Sequence, residues 1–368
     1  MKISCFQRDL DFALNVVNKA INLNNTLPVL NNVLISAKEG KLHFGATNLE
    51  IAISCTIDAE IKKEGAITVP AKLITGYIAL LNDEKVEMEV LDNFNLSIDS
   101  SSSNTKIKCI SAEEFPIIPQ IEKENYLNVN IDQFITAINQ TVFSASVNTS
   151  RPVLSGVFLT LEGSKLKMVS TDSYRLAERK IEIKSGTVSE LECIVPARTM
   201  SELAKIISKA EEKEVRIDIS KNQILFSVGG VELISRLIEG KFPDYRKIIP
   251  TDEKSKFEVS APDLSLTLRR VSLFAKENNN SVVLSVSEDG RLLVSSEETK
   301  VGEEKSSLPV KLQGTPNKIS LNGQYLLDVL NFINDDKIDI IVNDRESPAL
   351  VRPIKQEDYI YIIMPLKV

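Results

Sequence analysis

A run of alternating apolar residues, a glycine-bearing turn and a second alternating run recur three times along the chain. Residues 27–48 read LPVLNNVLISAKEGKLHFGATN, 151–172 read RPVLSGVFLTLEGSKLKMVSTD, and 278–298 read NNNSVVLSVSEDGRLLVSSEE. Strict period-two alternation on both sides of a turn predicts a hairpin in each copy. Gly40, Gly163 and Gly290 supply the positive φ that such turns need. Leu42, Leu166 and Leu292 fall in register, 124 and 126 residues apart. A second phrase keeps the same period: AITVPAKLITGYIALL (66–81), CIVPARTMSELAKII (193–207) and KISLNGQYLLDVLNFI (318–333). Pro70, Pro196 and Asn322 align in it at intervals of 126. That period is domain-sized, far beyond the roughly 20–50 residues of a solenoid repeat. The pattern predicts one domain present three times in tandem.

Each copy is expected to open on an amphipathic helix, over 8–20, 132–145 and 262–275. Leu10, Ala13, Leu14 and Val17 recur at helical spacing in the first, as do Leu264, Leu268, Val271 and Phe274 in the third. Asp132 is the expected cap of the second helix and Ser260 of the third, with Pro262 tolerated in the first turn. KVEMEVLD (85–92), EVRIDIS (214–220) and KIDIIVND (337–344) alternate as half-buried antiparallel strands do. The serine run at 100–103 is expected to be a turn. Copies one and two close on FPIIP (115–119) and FPDYRKIIP (242–250), each followed by a polar stretch. Domains are therefore expected at 1–125, 126–254 and 255–368. The expected fold class is α+β: three tandem copies of a domain with two helices packed on antiparallel sheets.

Composition narrows the function by exclusion. The chain has 368 residues, 43% of them apolar and 26% charged, as ordinary globular chains do. No apolar run approaches the roughly 18 residues of a membrane span. The opening MKISCFQRDLDF lacks the apolar stretch of a signal peptide. Both features set the expectation of a cytoplasmic chain with no membrane partner. Cys5, Cys55, Cys109 and Cys193 form no CxxC pair, and His43 is the only histidine. No metal site is expected from that spacing, and the thiols are expected to be reduced and buried. His43 alternates with Leu42 and Phe44, so it is expected on the exposed face of a strand. The net charge of −7 argues against coating the whole surface with nucleic acid, yet leaves room for a local basic lining.

Catalytic patterns are absent. There is no GxxxxGK[ST], GxGxxG or GxSxG, and one histidine leaves no Ser-His-Asp or Cys-His arrangement. The carboxylate pairs Glu113-Glu114, Glu211-Glu212, Glu297-Glu298 and Glu303-Glu304 sit in charged, turn-like contexts and are expected to be solvated. No cofactor is expected. A binding or scaffolding protein is favoured, with a carboxylate-dependent hydrolase as the rival class.

Three stretches carry a family resemblance. TDSYRLAERKI (171–181), FPDYRKIIP (242–250) and YIIMPLKV (361–368) resemble the bacterial DNA polymerase III beta subunit, the sliding-clamp family. LPVLNNV near the start, VPA[KR] in copies one and two, and SPALVRP (347–353) extend the likeness along the whole chain. The resemblance implies a non-catalytic processivity factor that encircles double-stranded DNA and tethers the replicative polymerase catalytic subunit. It implies a head-to-tail homodimer forming a ring of six domains, opened by an ATP-dependent clamp loader. Twelve helices spaced about 8–10 Å apart put their axes on a circle roughly 35 Å across. Subtracting a helix thickness of about 10 Å leaves a hole of roughly 25 Å. The rival within this reading is a monomeric three-domain scaffold that binds peptides without encircling DNA.

The resemblance also implies site residues. The DNA-facing candidates are Lys19, Lys72, Asn148, Arg151, Arg198, Arg269, Arg270 and Lys276, with Gln324 in the register of Lys72 and Arg198. A groove for client peptides is implied between copies two and three. Leu154, Thr171, Tyr174, Arg175 and Leu176 supply one side, Pro243 and Arg246 the second tail. Pro348, Ile362, Met364, Pro365 and Leu366 supply the rest. A flexible Met among aliphatics suits several partners, and Arg175 or Arg246 is expected to take a peptide carboxylate or carbonyl. The chain departs from the family at Ser173-Tyr174, where Gly-His is common, and at Lys247, where an apolar residue is common. The ring seam is expected to set Lys106, Ile107 and Lys108 against Leu273, Phe274 and the acids Glu297, Glu298, Glu303 and Glu304.

Overall fold

The apolar register predicts where the hairpins turn, and the computed structural model has them there. It describes residues 1–22, 27–82, 85–148, 150–298, 300 and 302–366. Asn32–Lys38 pairs with Lys41–Thr47, Gly156–Glu162 with Lys165–Thr171, and Ser281–Val286 with Arg291–Ser296. Leu42, Leu166 and Leu292 are each the second residue of the returning strand, and all three are fully buried. Gly40, Gly163 and Gly290 have φ of 75°, 61° and 74°, the left-handed region that a Cβ makes costly. Ser100 and Ser103 close the expected turn through a backbone hydrogen bond of 2.8 Å.

The helices are α1 (Gln7–Val17), α2 (Ala71–Ile78), α3 (Ile131–Val142), α4 (Ala197–Ile207), α5 (Ala261–Ala275) and α6 (Gly323–Leu330). The first ends as a 3-10 turn, Asn18–Ala20, rather than as α-helix to residue 20. Asp132 is not a cap. α3 begins one residue earlier, so Asp132 lies in the first turn, where its charge still opposes the helix dipole. Ser260 does cap α5, its Oγ accepting from the Asp263 amide at 3.4 Å. The aligned Pro70, Pro196 and Asn322 each immediately precede a helix. Asn322 caps α6 by accepting from Gln324 N at 2.9 Å.

Two compact units form, and they do not follow the three repeats. The first holds residues 1–131, 184–188 and 202–237; the second holds 132–183, 189–201 and 238–368. The middle repeat contributes to both.

In the first unit the described residues form an eight-strand antiparallel run. Its order is Tyr126–Asn130, Glu214–Ile219, Gln223–Val228, Val231–Arg236, Ile51–Asp58, Lys41–Thr47, Asn32–Lys38 and Gly65–Pro70. A five-stranded sheet, with Glu60–Lys63 and Asn104–Lys108 at its edges, completes that unit. α1 and α2 pack together there.

The second unit holds a nine-strand run, to which Arg175–Gly186 contributes its residues up to 183. Its order is Glu192–Pro196, Gly156–Glu162, Lys165–Thr171, Arg175–Gly186, Tyr359–Ile363, Ala349–Pro353, Lys337–Val342, Ser255–Ser260 and Lys311–Gly314. A four-stranded sheet ends at Lys305–Pro309, and α5 packs on α6. Tyr359 and Tyr361 are fully buried; their hydroxyls donate to the carbonyls of Gln140 (3.0 Å) and Tyr325 (3.1 Å). Buried phenols need such partners, and these two fix the last strand.

His43 is half-buried rather than exposed, because its strand is flanked on both sides and Thr56 lies directly opposite. Its Nδ1 is 3.0 Å from Thr56 Oγ1. All four cysteines are free, and Cys109 is half-buried rather than buried. Burial pushes the Cys5, Cys55 and Cys193 thiols up to about 12 and Cys109 to about 11, so they are inert as nucleophiles at neutral pH. Among the described residues, no helix is long and apolar enough to cross a membrane, and no His/Cys/Asp/Glu group is arranged to hold a metal ion.

Candidate functional site

A groove in the second unit forms where the turn after Lys165–Thr171 meets the last strand. Its cavity of about 200 Å³ is lined by Leu154, Thr171, Leu176, Pro243, Ile362 and Met364, with Ser173, Arg175, Asp244, Tyr245 and Ile248. Antiparallel register sets Leu176 opposite Ile362, which makes an apolar floor. The turn is braced by its own side chains. Thr171 Oγ1 donates to Arg175 O at 2.6 Å and accepts from Ser173 N at 3.1 Å. Asp172 Oδ1 accepts from the amides of Tyr174 (2.9 Å) and Arg175 (3.0 Å). Ser173 is held at φ 81°, in the region where glycine is at ease.

The opposite wall is the 3-10 helix Tyr245–Ile248. Tyr245 donates to buried Glu178 Oε2 at 2.6 Å. Burial first, and Glu178 second, push the phenol well above its usual range. Phe242 stacks on Phe158 with centroids 4.8 Å apart and meets Tyr245 edge-on. This aromatic stack holds Pro243 at the rim.

Residues 364–366 are anchored. Met364 N donates to Tyr174 O at 2.8 Å, and Leu366 N donates to Ser320 O at 2.9 Å. Met364 also borders a larger, open cavity of about 690 Å³ with Pro365, Leu366, Val283, Lys318 and Arg345. One flexible thioether thus separates two adjoining hollows. Lys367 and Val368 lie outside the described residues.

The structure brings together Leu154, Thr171, Arg175, Leu176, Pro243, Ile362 and Met364 in the smaller hollow, and Pro365 and Leu366 beside Met364 in the larger. Tyr174 is 64% exposed on the turn, Arg246 is exposed, and Pro348 is half-buried outside both linings. Of the two arginines expected to take a peptide carboxylate or carbonyl, Arg175 is engaged within the protein. Its Nε donates to Asp172 at 2.9 Å, Nη1 to Asp328, and Nη2 to Phe143 O at 2.8 Å, while its plane lies 4.4 Å from the Tyr325 ring centroid. Those donors are spent inside the protein, which leaves Arg246 as the exposed cation of the pair. Sequence reading had Ser173 only as a departure from the family and missed Asp244, Tyr245 and Ile248. Those three lie inside the quoted FPDYRKIIP stretch, where the aromatic residue was the available signal.

All eight DNA-facing candidates have exposed side chains: Lys19, Lys72, Asn148, Arg151, Arg198, Arg269, Arg270 and Lys276. Lys72, Arg198 and Gln324 are each the second residue of their helix. Lys205 and Lys209 were missed. In the first unit they line a cleft with Arg8 and Lys19, Lys205 from the last turn of α4 and Lys209 from just beyond its end.

The seam candidates divide. Lys106 and Lys108 are exposed on the edge strand Asn104–Lys108, but Ile107 is buried in its own sheet, because alternation turns it inward. Leu273 is 65% exposed on α5 and Phe274 is half-buried. Glu298 and Glu303 are exposed. Glu297 and Glu304 are half-buried rather than solvated: Glu297 accepts from Asn278 Nδ2 at 2.6 Å, and Glu304 from Ser306 Oγ at 2.8 Å.

Residues 1–119, 128–244 and 246–367 match, in turn, the N-terminal, central and C-terminal domains of the DNA polymerase III beta subunit. The chain is 30% identical over 373 residues to a beta sliding clamp of Synechococcus elongatus, covering 100% of this chain and 99% of that one. It is 30% identical over 363 residues to a beta sliding clamp of Staphylococcus aureus, covering 96% of each. Among solved structures, the DNA polymerase sliding clamp of Bacillus subtilis is similar with a TM-score of 0.95 at 28% identity, covering 100% of this chain and 99% of that one.

Proposed function

The chain belongs to the DNA polymerase III beta subunit family, and from that premise we propose how its parts divide the work of a DNA sliding clamp. It is a processivity factor with no chemistry of its own, partnered with DNA and with the polymerase. The likeness over the whole chain favours this over a monomeric peptide-binding scaffold.

Two chains join head to tail into a ring. The observation that carries this is a pair of strand edges without a partner among the described residues, one in the first repeat and one in the third: Asn104–Lys108 and Lys305–Pro309. An open edge is a template for pairing with another chain. Lys106 and Lys108 on one edge complement Glu298 and Glu303 near the other, with Leu273 and Phe274 as the apolar centre. A head-to-tail contact that closes after two chains uses up both edges. The three domains are 1–125, 126–254 and 255–368.

The exposed cations on the helices face duplex DNA inside the ring. Sequence-independent phosphate contacts allow sliding, and topology does the holding. Linkage raises the local concentration of polymerase at the primer end. The groove around Met364 receives client peptides, with Arg246 as the rim cation and Leu154, Leu176 and Ile362 as the floor. With no phosphate-binding loop of its own, the ring is opened by a separate ATP-driven loader, and it works in the cytoplasm.

Deleting residues 364–368 separates these roles. Sedimentation is expected to give a dimer near twice 40.9 kDa for both the full chain and the deletion. Polymerase binding is expected only for the full chain. A deletion that still binds polymerase, or one that sediments as a monomer, counts against this division.

A further inference from the structure

The groove of the second unit has a counterpart in the first. The turn Thr47–Ile51 repeats the bracing of Thr171–Arg175 bond for bond. Thr47 Oγ1 donates to Ile51 O at 2.9 Å and accepts from Leu49 N at 3.0 Å. Asn48 Oδ1 accepts from the amides of Glu50 (3.0 Å) and Ile51 (2.8 Å). Leu49 has φ 75° where Ser173 has 81°. Strand register agrees as well: Ile234 lies opposite Ala52 as Ile362 lies opposite Leu176. Arg236 N donates to Glu50 O at 2.9 Å, as Met364 N does to Tyr174 O at 2.8 Å. Pro116 follows Phe115 as Pro243 follows Phe242. A cavity of about 230 Å³ lies here, lined by Leu49, Ile51, Pro116, Ile117, Ile234 and Arg236 among others.

We propose that this groove is a second peptide-docking site, taking a short extended segment of a partner protein that seats one aliphatic side chain in the cavity and sets a carboxylate against Arg236. The occupant class rests on reading the second unit's groove as the client site. The selectivity comes from this groove alone. Arg236 stands where Met364 stands in the other groove, is exposed, and has no side-chain ion pair or hydrogen bond among the described residues. Ile117 is 95% exposed at the rim between Pro116 and Pro119, an apolar side chain that a docked peptide would cover. An acidic residue beside an aliphatic anchor satisfies both features.

The test uses the full-length chain with labelled isoleucine methyls and the acetylated, amidated peptide Ala-Asp-Leu-Leu-Ala as probe. The Ile117 and Ile234 signals are expected to shift saturably. Arg236→Glu, an exposed change, is expected to weaken that response roughly tenfold while leaving the Ile362 response unchanged. Replacing the probe's Asp by Asn is expected to act likewise, and Ile117→Ser is expected to weaken binding without affecting folding. Silence at Ile117 and Ile234 at probe concentrations that saturate Ile362 overturns the proposal. So does an unchanged response in Arg236→Glu. Movement at Ile117 with silence at Ile362 supports this site and contradicts the client reading of the other.

Discussion

The two turns at Thr47–Ile51 and Thr171–Arg175 have one backbone and opposite side-chain chemistry. The first carries Leu49, Glu50 and Ile51; the second carries Ser173, Tyr174 and Arg175. In the second, Arg175 reaches Asp328 and Phe143 O and locks the turn into its unit, so the groove beside it is walled by the chain end. In the first, Ile51 has no such reach, and the wall is a strand that ends in Arg236. The lesson is that the same side-chain-to-backbone bonds keep the turn alike in two copies, while the residues that fill the groove walls decide what each groove receives. The hairpins behind the turns differ in the same way. Lys167 and Lys180 share Glu162 at 2.9 and 3.0 Å, where the first repeat has His43 against Thr56 and Lys38 in place of the acid.

Exchanging the groove floors breaks the comparison most severely. Leu176→Ala empties a fully buried position and is expected to cost about 2–5 kcal/mol. Ala52→Leu overfills the matching site and is expected to cost about 1–3 kcal/mol. Urea unfolding measures both. Tyr245→Phe leaves buried Glu178 without its donor and is expected to cost about 1–3 kcal/mol; the first unit has no equivalent pair to lose. Met364→Arg gives the second groove the residue of the first. Client-peptide affinity is expected to fall roughly tenfold by calorimetry, about 1.4 kcal/mol, while the dimer survives. Ser173→Gly and Leu49→Gly relieve the same left-handed residue and are each expected to raise stability by about 0.5–1 kcal/mol in thermal unfolding.

The smallest expected effect is in pH. Hydrogen bonds from Lys167 and then Lys180 hold the Glu162 carboxyl down at about 2. A depressed carboxylate stabilises above its ordinary range and loses that contribution as pH falls toward the folded value. Glu162 is 51% exposed, so solvent screening keeps the gain small. The urea midpoint of Glu162→Gln is expected to fall less than that of the parent between pH 6 and pH 3, and equal slopes would remove the pair from the account.

What was legible in the sequence was local. Alternation placed Leu42, Leu166 and Leu292 on the returning strands, and aligned Pro70, Pro196 and Asn322 marked three helix starts. The resemblance placed Met364 and Leu176 at one groove. What was not legible depends on pairing across long stretches of chain. The strand Val231–Arg236 adds to Ile51–Asp58, and Tyr359–Ile363 adds to Arg175–Gly186, so the compact units divide the middle repeat. Arg175 looked like a free cation because its partner Asp328 lies 153 residues away. Ile107 was expected at the seam from the resemblance, although alternation turns it into its own sheet.

The most direct test of the central claim is retention on DNA after loading. The labelled chain is incubated with a bacterial clamp loader and ATP on nicked circular DNA, freed of loader, and half of the sample is cut once. Topological linkage predicts that the chain stays on the circle through gel filtration and runs off the linear DNA. Equal retention on both, or loss from the circle in salt that leaves the dimer intact, would contradict encirclement.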